Sequence, residues 1–282
     1  MDTWPDVYLI VLPSLLRPLG KAALFAEYSR LRRICARADA FTAISPDYLD
    51  WAVRHGHRGR RDADAVFALG APSPPPEERR PSAIDDSVQE RLDGRLVATF
   101  LGSFISMCDV QVVVRAAERL SARGRDDVIF VIAGDGPNAA RIRRRAMNRP
   151  NIIFTGWLAP EESAWLLQRS NLGLATYIPE ATMSWPNKLW SYLAHGLPMI
   201  CSLGGASREL IRSQGIGIGY TAGDAVSLAG AVEMLADNAP QRDSMAANAG
   251  ELFHSRFRSD MIYSGMARHL LELAGSRREA SR

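Results

Sequence analysis

From residue 95 onward, short apolar runs alternate with stretches of helical periodicity. Residues 96–101, 128–133, 151–155, 172–178, 199–202 and 216–220 are apolar runs of strand length. Helical patterns lie between them. Asp109 opens one over 110–122 that Gly124 closes; others run up to 145, over 160–169, 207–214, 225–237, 240–257 and 261–273. Strands apolar along their whole length, each followed by a helix, predict an α/β fold with a parallel sheet covered on both faces. Residues 1–70 predict fewer elements: a helix over 19–36, a strand over 40–44, a helix opened by Ser45-Pro46-Asp47 and running to 55, and a strand over 65–69. Five prolines between 70 and 81 mark a linker, and 84–92 predicts a short helix after it.

In a sheet of this kind ligands bind beyond the carboxyl ends of the strands. That rule selects the loops at 102–108, 134–137, 156–159, 178–187 and 202–207. One stretch stands out, the helix signalled between Ser184 and Gly196. Ser184 is placed to cap it, Pro186 suits its first turn, Gly196 suits the left-handed residue that ends it, and Pro198 forbids continuation. Leu189, Trp190, Leu193 and Ala194 form the inward face, leaving Asn187, Lys188 and Ser191 at or near the open end. Free N–H groups and a partial positive charge make such an end a seat for an anion, above all a phosphate, and Lys188 adds a full charge.

The net charge of +3 excludes a nucleic-acid binder that works by bulk charge. Only Lys21 and Lys188 of the 34 basic residues are lysines. Against this arginine bias Lys188 has two readings, a solvated surface lysine or an anion ligand. Cys35, Cys108 and Cys201 are an odd set without metal-ligand spacing, which predicts a reducing compartment and no disulfide framework. Residues 7–16 are apolar but too short to span a bilayer, are interrupted by Pro13 and lack a basic lead, so a cytoplasmic protein is expected.

Gly102-Ser103 allows close backbone approach to a phosphate, without the spaced glycines of a dinucleotide fingerprint. That disfavours an oxidoreductase. Tight-turn chemistry accounts for Gly134-Asp135-Gly136-Pro137, while Asp135 at the rim is placed to receive a hydroxyl. Trp157 reads as a plug at the rim of the core in preference to a platform for a base. Arg141, Arg143, Arg144 and Arg145 read as a solvated helix face, and His195 as a satisfied helix-end histidine. No metal site is expected, because the five histidines lack ligand spacing.

Taken in order, Leu-Gly-Ser at 101–103, Val-Ile-Ala-Gly-Asp-Gly-Pro at 131–137, Asn-Ile-Ile-Phe-Thr-Gly at 151–156, Pro-Asn-Lys-Leu-Trp-Ser-Tyr-Leu-Ala-His-Gly-Leu-Pro at 186–198 and Gly-Gly-Ala-Ser-Arg-Glu-Leu-Ile at 204–211 resemble the C-terminal half of glycosyltransferase family 4 enzymes. The resemblance covers about residues 95–273. It implies a GT-B-like fold: a Rossmann-like doubly wound parallel sheet, with a truncated second Rossmann-like portion at the N-terminus. The expected organisation is a partial acceptor-side portion and linker over 1–81, a nucleotide-sugar-binding domain over 82–258, and a helix crossing back over 259–282.

The implied activity is transfer of a sugar from a nucleotide-diphosphosugar, with retention at the anomeric carbon and no cofactor or obligatory metal, in cell-envelope or polysaccharide assembly. The implied partners are the donor and a lipid-linked or saccharide acceptor, with peripheral contact at the inner face of a membrane. Gly102, Ser103, Asn187 and Lys188 fall near the diphosphate, Trp157 and Leu158 near the base, Ser191 near the ribose, and no catalytic residue is assigned. The sequence departs from the family's pattern at three points. Met183 and Ser191 stand where the family commonly has two glutamates, and Ser103 stands where it often has a base. The portion before the linker is also short for a first domain, as in a fragment or a reduced domain. These departures support an alternative, a nucleotide-sugar-binding module without turnover.

Overall fold

A computed structural model describes residues 3–10, 12–76 and 79–280. The chain divides into two compact units. The smaller comprises the described residues up to Leu69, Thr182–Trp185 and the chain from Ser259 onward; the larger comprises Gly70–Ala181 and Pro186–Arg258, so the proline-rich stretch groups with the larger unit.

The smaller unit contains α1 (Val7–Ile10), a 3-10 turn (Ser14–Leu16), α2 (Arg17–Ala23), α3 (Phe25–Arg37), β1 (Thr42–Ala43), α4 (Pro46–His55) and β2 (Ala65–Val66). The single helix predicted over 19–36 is broken at Leu24, whose φ of −91° and ψ of 14° leave the helical region. α4 starts as its sequence predicts, with Ser45 Oγ accepting the Tyr48 N–H at 3.3 Å. The predicted strands shrink to two residues each, paired in parallel. Asp64 ties their flanks together by accepting both guanidinium donors of Arg58 at 2.7 Å and the N–H groups of Phe41 and Arg61 at 2.8 Å. The Arg58 guanidinium holds the Asp64 carboxyl well below the usual carboxylate range.

The larger unit begins with α5 (Asp86–Leu92), capped by Asp85. It continues through β3 (Leu96–Leu101), α6 (Val110–Ala122), β4 (Val128–Ala133), α7 (Ala139–Arg145), β5 (Ile152–Gly156), α8 (Pro160–Gln168), β6 (Leu172–Ala175), α9 (Asn187–Ala194), β7 (Met199–Cys201), α10 (Gly205–Ser213), β8 (Gly217–Gly219) and α11 (Ala225–Asp237). The helix predicted over 240–257 is α12 (Ala239–Leu252) running into a π-helical turn, Phe253–Phe257. α13 (Ser259–Ala280) belongs to the smaller unit.

All six strands of the large sheet are parallel, in the order β5-β4-β3-β6-β7-β8. Side chains alternate across it. Ala98, Phe100, Phe130 and Ile132 enter the core with α6 and α11, while Val97, Ile129, Val131 and Ile153 enter the core with α5 and α8. The chain winds outward from β3 to β5, then returns to the other side of β3 and winds outward to β8. The switch point between β3 and β6 is where a doubly wound sheet opens a crevice.

Two expectations are corrected near that crevice. β6 ends at Ala175, not at 178, because the Ser202 hydroxyl takes up both backbone groups of Tyr177, at 2.9 and 3.1 Å. Ser184 does not cap α9. Its hydroxyl donates to Asp47 Oδ2 at 2.7 Å within the smaller unit, and Pro186 is the N-cap, without a side-chain cap. The predicted helix end holds, with Gly196 at φ 61°.

Candidate functional site

The loops after β3 and β4 press together at their glycines. A Cβ on Gly134 would lie 2.0 Å from the Gly102 carbonyl oxygen, and the two residues have φ of 140° and 143°. Only glycine fits such a contact in that region of backbone space. The Phe104 N–H donates to the Asp135 carbonyl at 2.8 Å, locking the loops to each other. On its other side the β3 loop is bound to the chain leaving β6. Asp109 N–H donates to Thr176 O at 3.1 Å, Ile178 N–H donates to Met107 O at 3.1 Å, and Cys108 and Tyr177 form an antiparallel bridge. The loop with no basic residue is therefore held on both sides.

α9 is fastened to the crevice by Tyr192, one turn after Lys188. Its buried hydroxyl accepts the Leu101 N–H at 3.1 Å and shares its hydrogen between Thr99 O and Leu174 O, at 3.1 and 3.0 Å. The ring lies on β6 at Gly173, where an added Cβ would come within 2.5 Å of it. Sequence reasoning passed over Tyr192. Its signal was a glycine inside the apolar strand Leu-Gly-Leu-Ala, which marks a close approach to the backbone.

This fastening sets Lys188 under the β3 loop. The half-buried side chain places Nζ 3.9 Å from the Phe100 ring centroid, 4.9 Å from that of Tyr177 and 3.9 Å from Cys108 Sγ. A Cβ on Gly102 would lie 3.6 Å from it. Burial pushes the ammonium below the ordinary lysine range, opposed by the nearby Cys108 and Cys201 thiols. The solvated-surface reading of Lys188 is thereby overturned. Burial pushes the Cys201 thiol up to about 11.

The structure brings Gly102 and Lys188 together, with Ser103 exposed beside them and Asn187 exposed on the first turn of α9. Ser191 is half-buried one turn further on, and its carbonyl meets His195 Nδ1 at 2.8 Å, the helix-end role expected of that histidine. Asp135 is exposed but turned onto its own loop: Oδ1 accepts the Gly136 N–H at 2.8 Å and Oδ2 lies 3.6 Å from Arg143.

Trp157 and Leu158 have opposite surroundings, and the reading of Trp157 as a plug of the core is corrected. Trp157 is 71% exposed at the end of β5 and plugs no core, whereas Leu158 is buried with Trp165 and Leu166. With strands about 4.8 Å apart, Trp157 follows a strand roughly 10 Å from β3, along the same edge as the glycines. Among the described residues, no group of three or more His, Cys, Asp or Glu is placed to hold a metal ion, and no helix is long and apolar enough to cross a membrane.

The model of the glycosyl transferases group 1 family matches residues 95–238. Alpha-D-kanosaminyltransferase of Streptomyces kanamyceticus is 27% identical over 165 residues, which is 57% of this chain and 42% of that protein. The chain thus spans less than half the length of this relative. The crystal structure of Anabaena Alr3699/HepE in complex with UDP matches with a TM-score of 0.71 at 18% identity, over 87% of this chain and 68% of that one. WaaG, a glycosyltransferase involved in lipopolysaccharide biosynthesis, matches with a TM-score of 0.59 at 13% identity, over 79% of this chain and 60% of that one. These likenesses show a GT-B fold.

Proposed function

Since this chain belongs to the glycosyl transferases group 1 family, we propose that its larger unit binds a nucleotide-diphosphosugar with the diphosphate on the first turn of α9. The observation that carries this is the position of Lys188. A lysine half-buried against two aromatic rings, beneath a glycine at the sheet's switch point, is costly to desolvate and supplies charge where an anion gains most. The N–H groups of the Asn187 turn and the Lys188 ammonium face the diphosphate together.

In this reading the chain is a member of glycosyltransferase family 4 and takes part in transfer of the sugar with retention. Negative charge grows on the diphosphate as the glycosidic bond breaks, and donors fixed before the reaction stabilise that charge without reorganising. Trp157 stacks on the base, and the Ser191 hydroxyl offers the ribose one hydrogen bond. The Anabaena structure, which contains UDP, favours a uridine diphosphate sugar. The acceptor is a saccharide or a lipid-linked sugar of envelope or polysaccharide assembly, and no metal or cofactor takes part.

A second reading, a donor-binding module without turnover, is favoured by one observation. Neither Met183 nor Ser191 supplies a carboxylate, and Thr182–Trp185 groups with the smaller unit and not with α9. Thermal shift with UDP- and GDP-sugars tests the first reading: protection that Lys188→Ala removes supports it, and protection that survives the substitution rejects it. Protection without hydrolysis or transfer in an acceptor screen selects the module.

A further inference from the structure

Cys108 has no task in donor binding, yet its Sγ lies 3.9 Å from Lys188 Nζ, little more than contact between a sulfur and a nitrogen. Both partners are held in place. The Cys108 N–H donates to Ile105 O at 3.0 Å, and the residue bridges to Tyr177. The Lys188 ammonium rests on the rings of Phe100 and Tyr177. Groups held together in this way react as one molecule and not as two.

The three cysteines differ in their access to solvent. Cys35 and Cys201 are buried, and Cys108 alone is partly exposed. A dissolved peroxide therefore meets Cys108 first. The sulfur attacks one peroxide oxygen, the O–O bond breaks, and the displaced hydroxide leaves as water with the thiol's proton. Sulfur is oxidised by two electrons and the peroxide is reduced by two. The cation alongside stabilises the charge that grows on the leaving oxygen.

The sulfenic acid so formed condenses with a thiol or with a nitrogen. Cys201 is the thiol near Lys188, but burial pushes it up to about 11, where it stays protonated at neutral pH. Its Sγ also accepts the Leu203 N–H at 3.4 Å. The next backbone nitrogen, that of Asp109, is tied to Thr176 O at 3.1 Å. The Lys188 nitrogen stands free of such ties. Burial pushes its ammonium below the ordinary lysine range, which raises the share of free amine, the form that attacks sulfur.

We propose that Cys108 and Lys188 form a modification site, which peroxide joins into a sulfenamide that closes the diphosphate seat. The S–N bond forms as the S–O bond breaks, and hydroxide leaves as water with an amine proton. Overall a thiol, an amine and a peroxide give the link and two waters. Two equivalents of a thiol reductant restore the thiol and the amine and become a disulfide. The closing of the seat rests on the donor reading, because the link removes the charge assigned to the diphosphate. The formation of the link does not.

Peroxide treatment of the ligand-free chain, followed by non-reducing peptide mass mapping, tests the link. The expected product joins the peptides of Cys108 and Lys188, lighter than their sum by two hydrogens, and dithiothreitol releases it. Cys108→Ser and Lys188→Arg should each abolish it, and Lys188→Arg should retain a sulfenic acid on Cys108 that dimedone traps. Cys201→Ala should leave the link unchanged. Thermal protection by a nucleotide sugar should vanish in the linked chain and return with the reductant. UDP or GDP, whichever protects the untreated chain, should slow linking about a hundredfold at a hundred times its Kd.

The proposal is overturned if no link forms, or if Cys201→Ala abolishes it, since the product is then a disulfide. A link heavier by one oxygen is an N–O–S bridge and overturns it too. Linking that leaves donor protection intact, or that the nucleotide does not slow, overturns the closing of the seat. A chain that no nucleotide protects before treatment rejects the donor reading instead, and the mass map still decides the link.

Discussion

Lys188 Nζ stands over the face of Phe100, 3.9 Å from the ring centre, so the one lysine of the larger unit is held by an aromatic quadrupole and, among the described residues, by no carboxylate. A cation over a ring recovers about 0.5–2 kcal/mol of its desolvation cost. The remainder is a desolvation cost that the diphosphate proposed for this site would offset.

That cost has a pH signature. Unfolded, Lys188 titrates as an ordinary lysine; folded, burial makes it lose its proton at lower pH. Between the two values the unfolded chain binds the extra proton, so raising pH through this window stabilises the fold, and the full cost of the buried charge applies below it. A bound diphosphate restores the charge. Donor binding is therefore expected to take up a proton within the window and to weaken as pH rises through it. Titration calorimetry in buffers of different ionisation enthalpy measures the uptake. Lys188→Arg, which keeps its charge throughout, should abolish it, and Lys188→Ala should weaken binding about tenfold to a hundredfold.

Tyr192→Phe tests the fastening of α9. It strips the Leu101 N–H of its acceptor and two carbonyls of a shared donor. A buried group left unpaired costs about 1–3 kcal/mol. Urea unfolding should show a loss of that size, and donor affinity should fall with it, because the first turn of α9 loses its register on β3. Unchanged affinity would mean that the turn is placed by the Leu189 and Leu193 contacts instead.

How far these features were legible depends on the range of their causes. α6 and α11 were bounded correctly because capping acids and apolar periodicity lie within the helices or beside them. β6 was read too long because the group that ends it, the Ser202 hydroxyl, lies 25 residues away in sequence. Ser184 looked like a cap for the same reason: its partner, Asp47, is distant in sequence. Of the site, the Lys188 turn could be read from Pro186 and Gly196. Its aromatic surroundings could not, since Phe100 lies on β3 and Tyr177 on the chain leaving β6, and they meet Lys188 only at the switch point.

Gly134→Ala tests the contact of the two loops. The new Cβ would meet the Gly102 carbonyl at 2.0 Å on a backbone at φ 140°. Overpacking and strain together predict a loss of about 3 kcal/mol. Gly94→Ala is the control, since Gly94 has φ 72° with nothing within 4 Å of a Cβ and carries strain alone, about 1 kcal/mol. Equal losses in denaturant titrations would mean that the loops yield.

Trp157 and Leu158 are neighbours with opposite surroundings, so they separate binding from folding. The Trp157 indole is 71% exposed and gives up little packing when removed. Trp157→Ala is expected to change stability by no more than about 0.5 kcal/mol. A base stacked on an aromatic ring is worth about 1–3 kcal/mol, so nucleotide affinity should fall roughly fivefold to a hundredfold. Leu158 is packed against Trp165 and Leu166. Its truncation to alanine opens a cavity and should cost about 2–5 kcal/mol of stability, leaving affinity nearly unchanged at temperatures where the variant is folded. Denaturant titration and calorimetry on the pair decide the matter. If Trp157→Ala unfolds the chain, the indole belongs to the core after all; if it leaves both quantities unchanged, the base lies elsewhere along the sheet edge.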